Sequence, residues 1–488
     1  MSDISDPTSP SRRLFLTGSA ASVGAVGAGL VAGPLASPAA AAGGSLDAGE
    51  EWPDGPGRRN KPQSPDKELR AILAAVDQDR IEATVRKLVS FGTRHTLSSQ
   101  TDPNRGIGAA RDWIFATMQG YAARSGGRMT VEKQSFVQQP GSRIPAPTTI
   151  TNVVATLKGS TSPNRVYVVS GHYDSRVTDV MDSTSDAPGA DDDASGVAVA
   201  MELARVMATH RPEATIVFAA VAAEEQGLYG STYLAEQLKQ AGKDVQGMFT
   251  NDIVGSSRAD DGERDRRSFR LFAEGVPTNE TAAQANIRRS VGGENDSPAR
   301  QLARFVTEVA DNGQTRMHVR VIYRRDRYLR GGDHIPFLER GFAAARFTEP
   351  NEDYAHQHQD VRVENGKQYG DLPQFCDFDY IARVARVNAA TLFSLATAPG
   401  TPKNVRVLTA ELTNDTELLW DADPAVEGAR YEVVWRPTIE DDWTHVIPVG
   451  AATRTRVNLS KDNVFFGVRA VDAQGHRSPA AFPVPATS

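Results

Sequence analysis

The sequence predicts an α/β fold, a mostly parallel mixed sheet with helices on both faces, followed by a C-terminal all-β sandwich. Three observations carry this expectation. Near-continuous apolar runs of strand length alternate with helical stretches through the middle of the chain, the pattern of strands buried on both faces. At Pro399, Gly400 and Pro402 that alternation stops, and short runs with period-two patterning take over. The 488 residues are also too many for one ordinary core.

Composition narrows the class. Hydrophobic residues make up 40% and charged residues 24%, ordinary for a soluble globular chain. The net charge of -7 comes without a dense Lys/Arg stripe, which argues against a nucleic-acid partner. The single cysteine, Cys376, excludes a disulfide within the chain and reads as a small buried hydrophobe. Any metal site must therefore use histidine and carboxylate ligands.

Along the chain, Arg12-Arg13 precede an uncharged Ala/Gly/Val-rich stretch that ends in Ala39 to Ala42. This resembles a bacterial twin-arginine signal over residues 1–42 and implies a secreted or extracytoplasmic protein with no span in the mature chain. Residues 43–65, rich in Gly and Pro, read as a flexible linker. Helical spacing begins with Leu69, Ile72, Leu73, Val76, Ile81, Val85 and Leu88, and continues with Ile107, Ala110, Ile114 and Met118. Strands are expected at Val166–Ser170, Ile216–Ala223, Met248–Val254, Phe269–Phe272, Val319–Tyr323 and Ala343–Phe347. Helices are expected at Val197–Met207, Tyr233–Leu238, Arg300–Ala310 and Tyr380–Leu395. Ligands of such sheets bind at the carboxyl ends of the strands.

Five segments at those ends carry chemistry. His172-Tyr173-Asp174 follows the first apolar strand, where Asp174 is placed to fix the His172 tautomer. Asp191-Asp192-Asp193 opens a helix, and three successive carboxylates repel unless solvated or bound to cations. Glu224-Glu225 closes a strand. One glutamate can ligate a metal while the other serves as general base. Asp252 interrupts an apolar run and needs a partner. The last segment offers two histidines, His356 and His358. Five such ligands are too many for one tetrahedral zinc and suit two zinc ions sharing a carboxylate.

In order and wording, these segments resemble the co-catalytic di-zinc aminopeptidases, metallopeptidase family twenty-eight, over about residues 66–398. The resemblance implies a zinc exopeptidase-like fold, two Zn2+ ions and peptide or protein substrates. It assigns His172, Asp192, Glu225, Asp252 and His356 as metal ligands, with Asp192 bridging, Glu224 as catalytic base, and Asp174 and Asp360 behind the histidines. His356 is chosen over His358 because it stands four residues before Asp360. Gly332-Asp333-His334 resembles a family loop near the site. Two departures stand out. Ala355 occupies the position before the last histidine where the family has tyrosine, and the arginine near Asp333-His334 is shifted by one to Arg330. Tyr354, Tyr328 and Arg330 are therefore the candidates for oxyanion or substrate contacts. A glutaminyl cyclase with one zinc, a carboxypeptidase on the same scaffold, and a non-catalytic binding ectodomain remain as alternatives. Residues 402–486, with Trp420, Tyr431, Trp435 and the run ending at Gly475, resemble a fibronectin type III domain, a spacer or a surface for an extracellular partner.

Overall fold

The computed structural model describes residues 55–310, 313–422 and 428–487. The export signal expected at 1–42 and the start of the linker lie outside the described residues. At the centre is an eight-stranded sheet. Its strands run, from one edge to the other, Met129–Gln138, Thr148–Leu157, Ala214–Val221, Ser162–His172, Asp244–Asn251, Ala344–Thr348, Ser268–Phe272 and His318–Ile322. The four inner strands from Ala214–Val221 to Ala344–Thr348 are mutually parallel. The antiparallel neighbours Thr148–Leu157 and Ser268–Phe272 flank them, so the sheet is mixed and parallel at its heart.

Strand order explains why both faces are covered. The chain leaves Ser162–His172, forms the helix Ala194–Met207 and returns as the neighbour on one side. It then forms Tyr229–Gln240 and crosses back to Asp244–Asn251 on the other side. Right-handed crossovers in opposite directions place the two helices on opposite faces. Ala194–Met207 is buried along nearly its whole length because Gln78–Val89 and Phe378–Thr397 pack over it. That accounts for its apolar character all round. Among the described residues, no helix is long and apolar enough to cross a membrane.

Two differences from the sequence reading concern the edges. The hairpin Met129–Gln138/Thr148–Leu157 is absent from the expected strands, because its outer strand alternates buried and exposed positions weakly. The second difference lies in the expected linker. Arg58 and Arg59 pair with Val446 and His445 at the edge of a C-terminal sheet, and the Trp435 indole donates to the Pro56 carbonyl at 2.7 Å. A Cβ at Gly55 would stand 2.8 Å from the Trp435 ring, so only glycine admits this approach. Residues 55–59 are thus docked on this sheet, with strand at Arg58–Arg59, rather than free linker.

The C-terminal region forms one four-stranded sheet and, with Arg58–Arg59 as its edge strand, a second, packed around Val405, Leu418, Trp420, Tyr431, Trp435 and Phe466. A buried ion network ties it to the larger part. Asp296 accepts from Arg304 and from Arg436, each at 2.7 Å, and the Trp443 indole donates to Gln301 at 3.2 Å. Removing Asp296 strands two guanidinium groups away from water. Asp296→Ala is expected to lower stability by about 3–5 kcal/mol, read as a reduced urea midpoint, whereas a shift within the ±0.5 kcal/mol or so typical of surface changes would show that the network is solvated.

Candidate metal centre

The carboxyl ends of the inner parallel strands bring the chemistry together. His172 is the last residue of its strand, Glu224 and Glu225 follow Val221, and Asp252 follows Asn251. The Asp191–Asp193 loop leans against them through two glycines. A Cβ at Gly171 would lie 2.3 Å from the Gly196 backbone, and one at Gly196 would lie 2.0 Å from the Asn251 carbonyl. Asp193 then caps the helix by accepting from the Gly196 N–H at 3.0 Å, and it also accepts from the His172 N–H at 2.9 Å. Asp371 takes the Asp191 and Asp192 amides at 2.7 and 2.8 Å. These contacts hold Asp192 facing the sheet.

Two groups of ligand-type atoms result. His172, Asp192 and Asp252 form one; Asp192, Glu225 and His358 form the other; in each, the atoms lie within 4.8 Å of one another. Asp192 belongs to both. Its Oδ1 is 3.0 Å from His172 Nε2, and its Oδ2 is 2.7 Å from His358 Nε2. His358 Nε2 is also 2.7 Å from Glu225 Oε1. Yet Glu225 Oε1 and His358 Nε2 are buried atoms without a hydrogen-bond partner. They converge on a common point without aligning on each other, as metal ligands do. Imidazole and carboxylate donors suit zinc, so the residues present fit that ion.

The histidine that the structure brings together with Asp192 and Glu225 is His358, not the expected His356. The His356 ring stacks on Phe375 with centroids 3.5 Å apart, and its Nδ1 is 2.8 Å from Asp353 Oδ2. It faces a separate cavity of about 430 Å³ lined also by Asp191, Glu349 and Asp371. Asp360 does not back it, since that exposed carboxylate accepts from the Thr178 N–H at 3.3 Å. The cause is a turn. His358 has φ of 52°, a left-handed conformation that no spacing rule reveals. Ala223 and Ile253, both at φ 60°, flank Glu224 and Asp252 in the same way. Such residues cost of order 1–3 kcal/mol each and concentrate at functional sites.

Asp174 is tied to the site at two points. Its carbonyl lies 3.2 Å from His172 Nδ1, and its carboxylate accepts from the Glu224 and Glu225 N–H groups at 3.3 and 3.1 Å. The fully buried Arg346 donates to Asp252 Oδ1 at 2.9 Å and lies 3.4 Å from Asp326. Burial opposes its charge, but Asp252 and Asp326 outweigh burial and raise its pKa. Arg94, also buried, bonds the Tyr173, Pro188 and Gly189 carbonyls at 2.7, 2.6 and 2.8 Å, stapling the His172 loop to the aspartate loop. Burial, reinforced by Asp252 and Glu225, holds the Glu224 carboxyl well above the usual range, against the pull of His172.

Of the candidates for substrate contact, Tyr328 and Tyr354 are exposed, with the Arg324 guanidinium over the Tyr328 ring. Arg330 is engaged by Glu352 at 2.9 Å. Among the described residues, none of the three has a hydrogen bond or ion pair to the acidic cluster. Cys376 packs partly buried against the core, and burial pushes its thiol well up.

Comparisons with known proteins agree with this chemistry. Probable zinc metalloproteases of Pyrenophora teres f. teres and Pyricularia oryzae are each 58% identical to the chain. They cover 87% of it in both cases, and 88% and 86% of the relative. A further probable zinc metalloprotease, from Phaeosphaeria nodorum, is 52% identical. The fold is shared with LapB from Legionella pneumophila at a TM-score of 0.50 and 20% identity, covering 70% of this chain and 78% of that one. These close relatives are fungal, which overturns the bacterial origin and twin-arginine export read from Arg12-Arg13. An arginine pair before an Ala/Gly-rich stretch is too common a composition to fix a route. Residues 152–365 match the model described as Peptidase family M28, and with these relatives they show that the chain belongs to peptidase family M28 and is a zinc metalloprotease.

Proposed function

We propose that the protein is a two-zinc aminopeptidase. His172 and Asp252 would hold one ion, Glu225 and His358 the other, and Asp192 would bridge. The observation that carries this reading is the position of the two Asp192 oxygens, one beside each imidazole. Bound there, zinc would polarise the scissile carbonyl and acidify a water.

The remaining roles fall to the chain. Glu224, the partly exposed member of the glutamate pair, would take a proton from the attacking water and pass it to the leaving amine. The dense carboxylates at the strand ends would attract the protonated amino terminus of a peptide. Residues 402–486 contribute none of these groups, and we assign them as a fibronectin type III-like spacer.

The test compares free and N-acetylated peptides. Amino acids should be released one at a time from free peptides only, with loss on chelation and recovery with zinc. Equal cleavage of acetylated peptides would overturn the aminopeptidase reading. Pyroglutamyl products from N-terminal glutamine, without release of amino acids, would point to a cyclase.

A further inference from the structure

Arg300, in the first turn of the helix Pro298–Ala310, carries a charge that the fold does not answer. Its Nε is buried without a hydrogen-bond partner. Its guanidinium stands over the Tyr323 ring, 4.3 Å from the centroid. A Cβ at Gly275 would lie 2.6 Å from its Nη2, so the glycine leaves the room that the guanidinium occupies. Burial holds the Arg300 pKa below the usual arginine range, as expected for a cation kept without a matching anion.

Two more arginines stand beside it. Arg300, Arg324 and Arg325 line one cavity of about 440 Å³ with Tyr323, a volume within the roughly 300–1,000 Å³ of small-molecule pockets. The Arg324 side chain meets Tyr328, with the ring centroid at 4.1 Å and the hydroxyl 3.4 Å from Nη2. Among the described residues, none of the three guanidinium groups is ion-paired. The two carboxylates that line the same cavity, Glu274 and Glu294, are engaged elsewhere. Glu274 accepts from the Thr278 N–H and Oγ1 at 3.0 and 2.6 Å, and Glu294 lies 3.4 Å from Arg288. Three arginines against two glutamates leave an excess of positive charge.

The cavity is separate from the metal centre. It opens at the carboxyl end of the edge strand His318–Ile322. That strand is parallel to Ser268–Phe272, which runs antiparallel to Ala344–Thr348. Its carboxyl end therefore points away from the rim that carries His172 and Asp252. We propose that Arg300, Arg324 and Arg325 form a binding site for a small dianion, a phosphate ester or a dicarboxylate. Guanidinium forks match the oxygens of both groups. The ligand holds the outer side of segment 323–331, whose inner side rests on Arg346 through Asp326 and the Gly331 carbonyl.

Calorimetric titration of the zinc-loaded full chain with inorganic phosphate and with succinate tests the site and separates the two ligand classes. Wild type should bind one of them more tightly, which assigns the class. Arg300→Gln and Arg325→Gln should each weaken that binding on the order of tenfold or more, the scale of a lost hydrogen bond to a charged group. Melting gives an independent reading. In buffer free of such anions, Arg300→Gln should melt no lower than wild type, because it removes a charge that burial opposes. The anion that binds should raise the Tm of wild type and not of the variant. Equal affinity in wild type and Arg300→Gln would place the binding elsewhere, the metal centre included, and overturn the proposal. Absence of binding, or a lowered Tm of Arg300→Gln without anion, would overturn it as well.

Discussion

Glu224→Gln is expected to lower kcat by about 10²- to 10⁴-fold, the range for loss of a general base, with zinc content and fold retained. The amide is nearly isosteric but cannot take up a proton. Glu224 has a neighbour of the same type, so the substitution separates two roles that the sequence places side by side. Glu225 lies in the group with Asp192 and His358, and Glu225→Gln is expected to reduce zinc content as well as rate. The geometry behind this difference is local. The left-handed Ala223 turns the chain, Asp174 fixes both following amides, and of the two side chains Glu225 joins Asp192 and His358. A Glu224→Gln enzyme with unchanged kcat on a free peptide would remove Glu224 from the proton-transfer role.

The second large effect separates His358 from His356. His358→Ala removes an imidazole 2.7 Å from both Asp192 and Glu225. It should release one zinc and cost on the order of 100-fold or more in activity, at least the loss seen for groups merely adjoining ligands. His356→Ala should keep both ions and most of the activity. Its cost is the Phe375 stack and the Asp353 pair, about 1–3 kcal/mol of stability. Metal analysis of the two purified variants reads the difference, and loss of zinc from His356→Ala alone would reverse the assignment.

These two histidines show where sequence reasoning stops. The strands that carry His172, Glu225 and Asp252 are legible because buried parallel strands are almost continuously apolar, so a polar residue at the end of one stands out. Asp192 is legible because three adjacent carboxylates are costly without a cation. Which of two histidines two residues apart turns inward depends on one backbone dihedral, the φ of 52° at His358, and neither spacing nor composition encodes it. The arginines were hidden for another reason. Arg94 and Arg346 meet their partners across separations of up to 95 residues, and arginines on a surface look the same in sequence as arginines that brace a site. The docking of Arg58 and Arg59 onto the C-terminal sheet was hidden because a two-residue edge strand has no period to read.

Zinc-edge anomalous diffraction from crystals of the zinc-loaded protein decides whether Asp192 lies between two ions. Two peaks about 3.5–4 Å apart are expected, one beside His172 and Asp252 and the other beside Glu225 and His358, with Asp192 between them. A single peak, or a peak at His356, would contradict it.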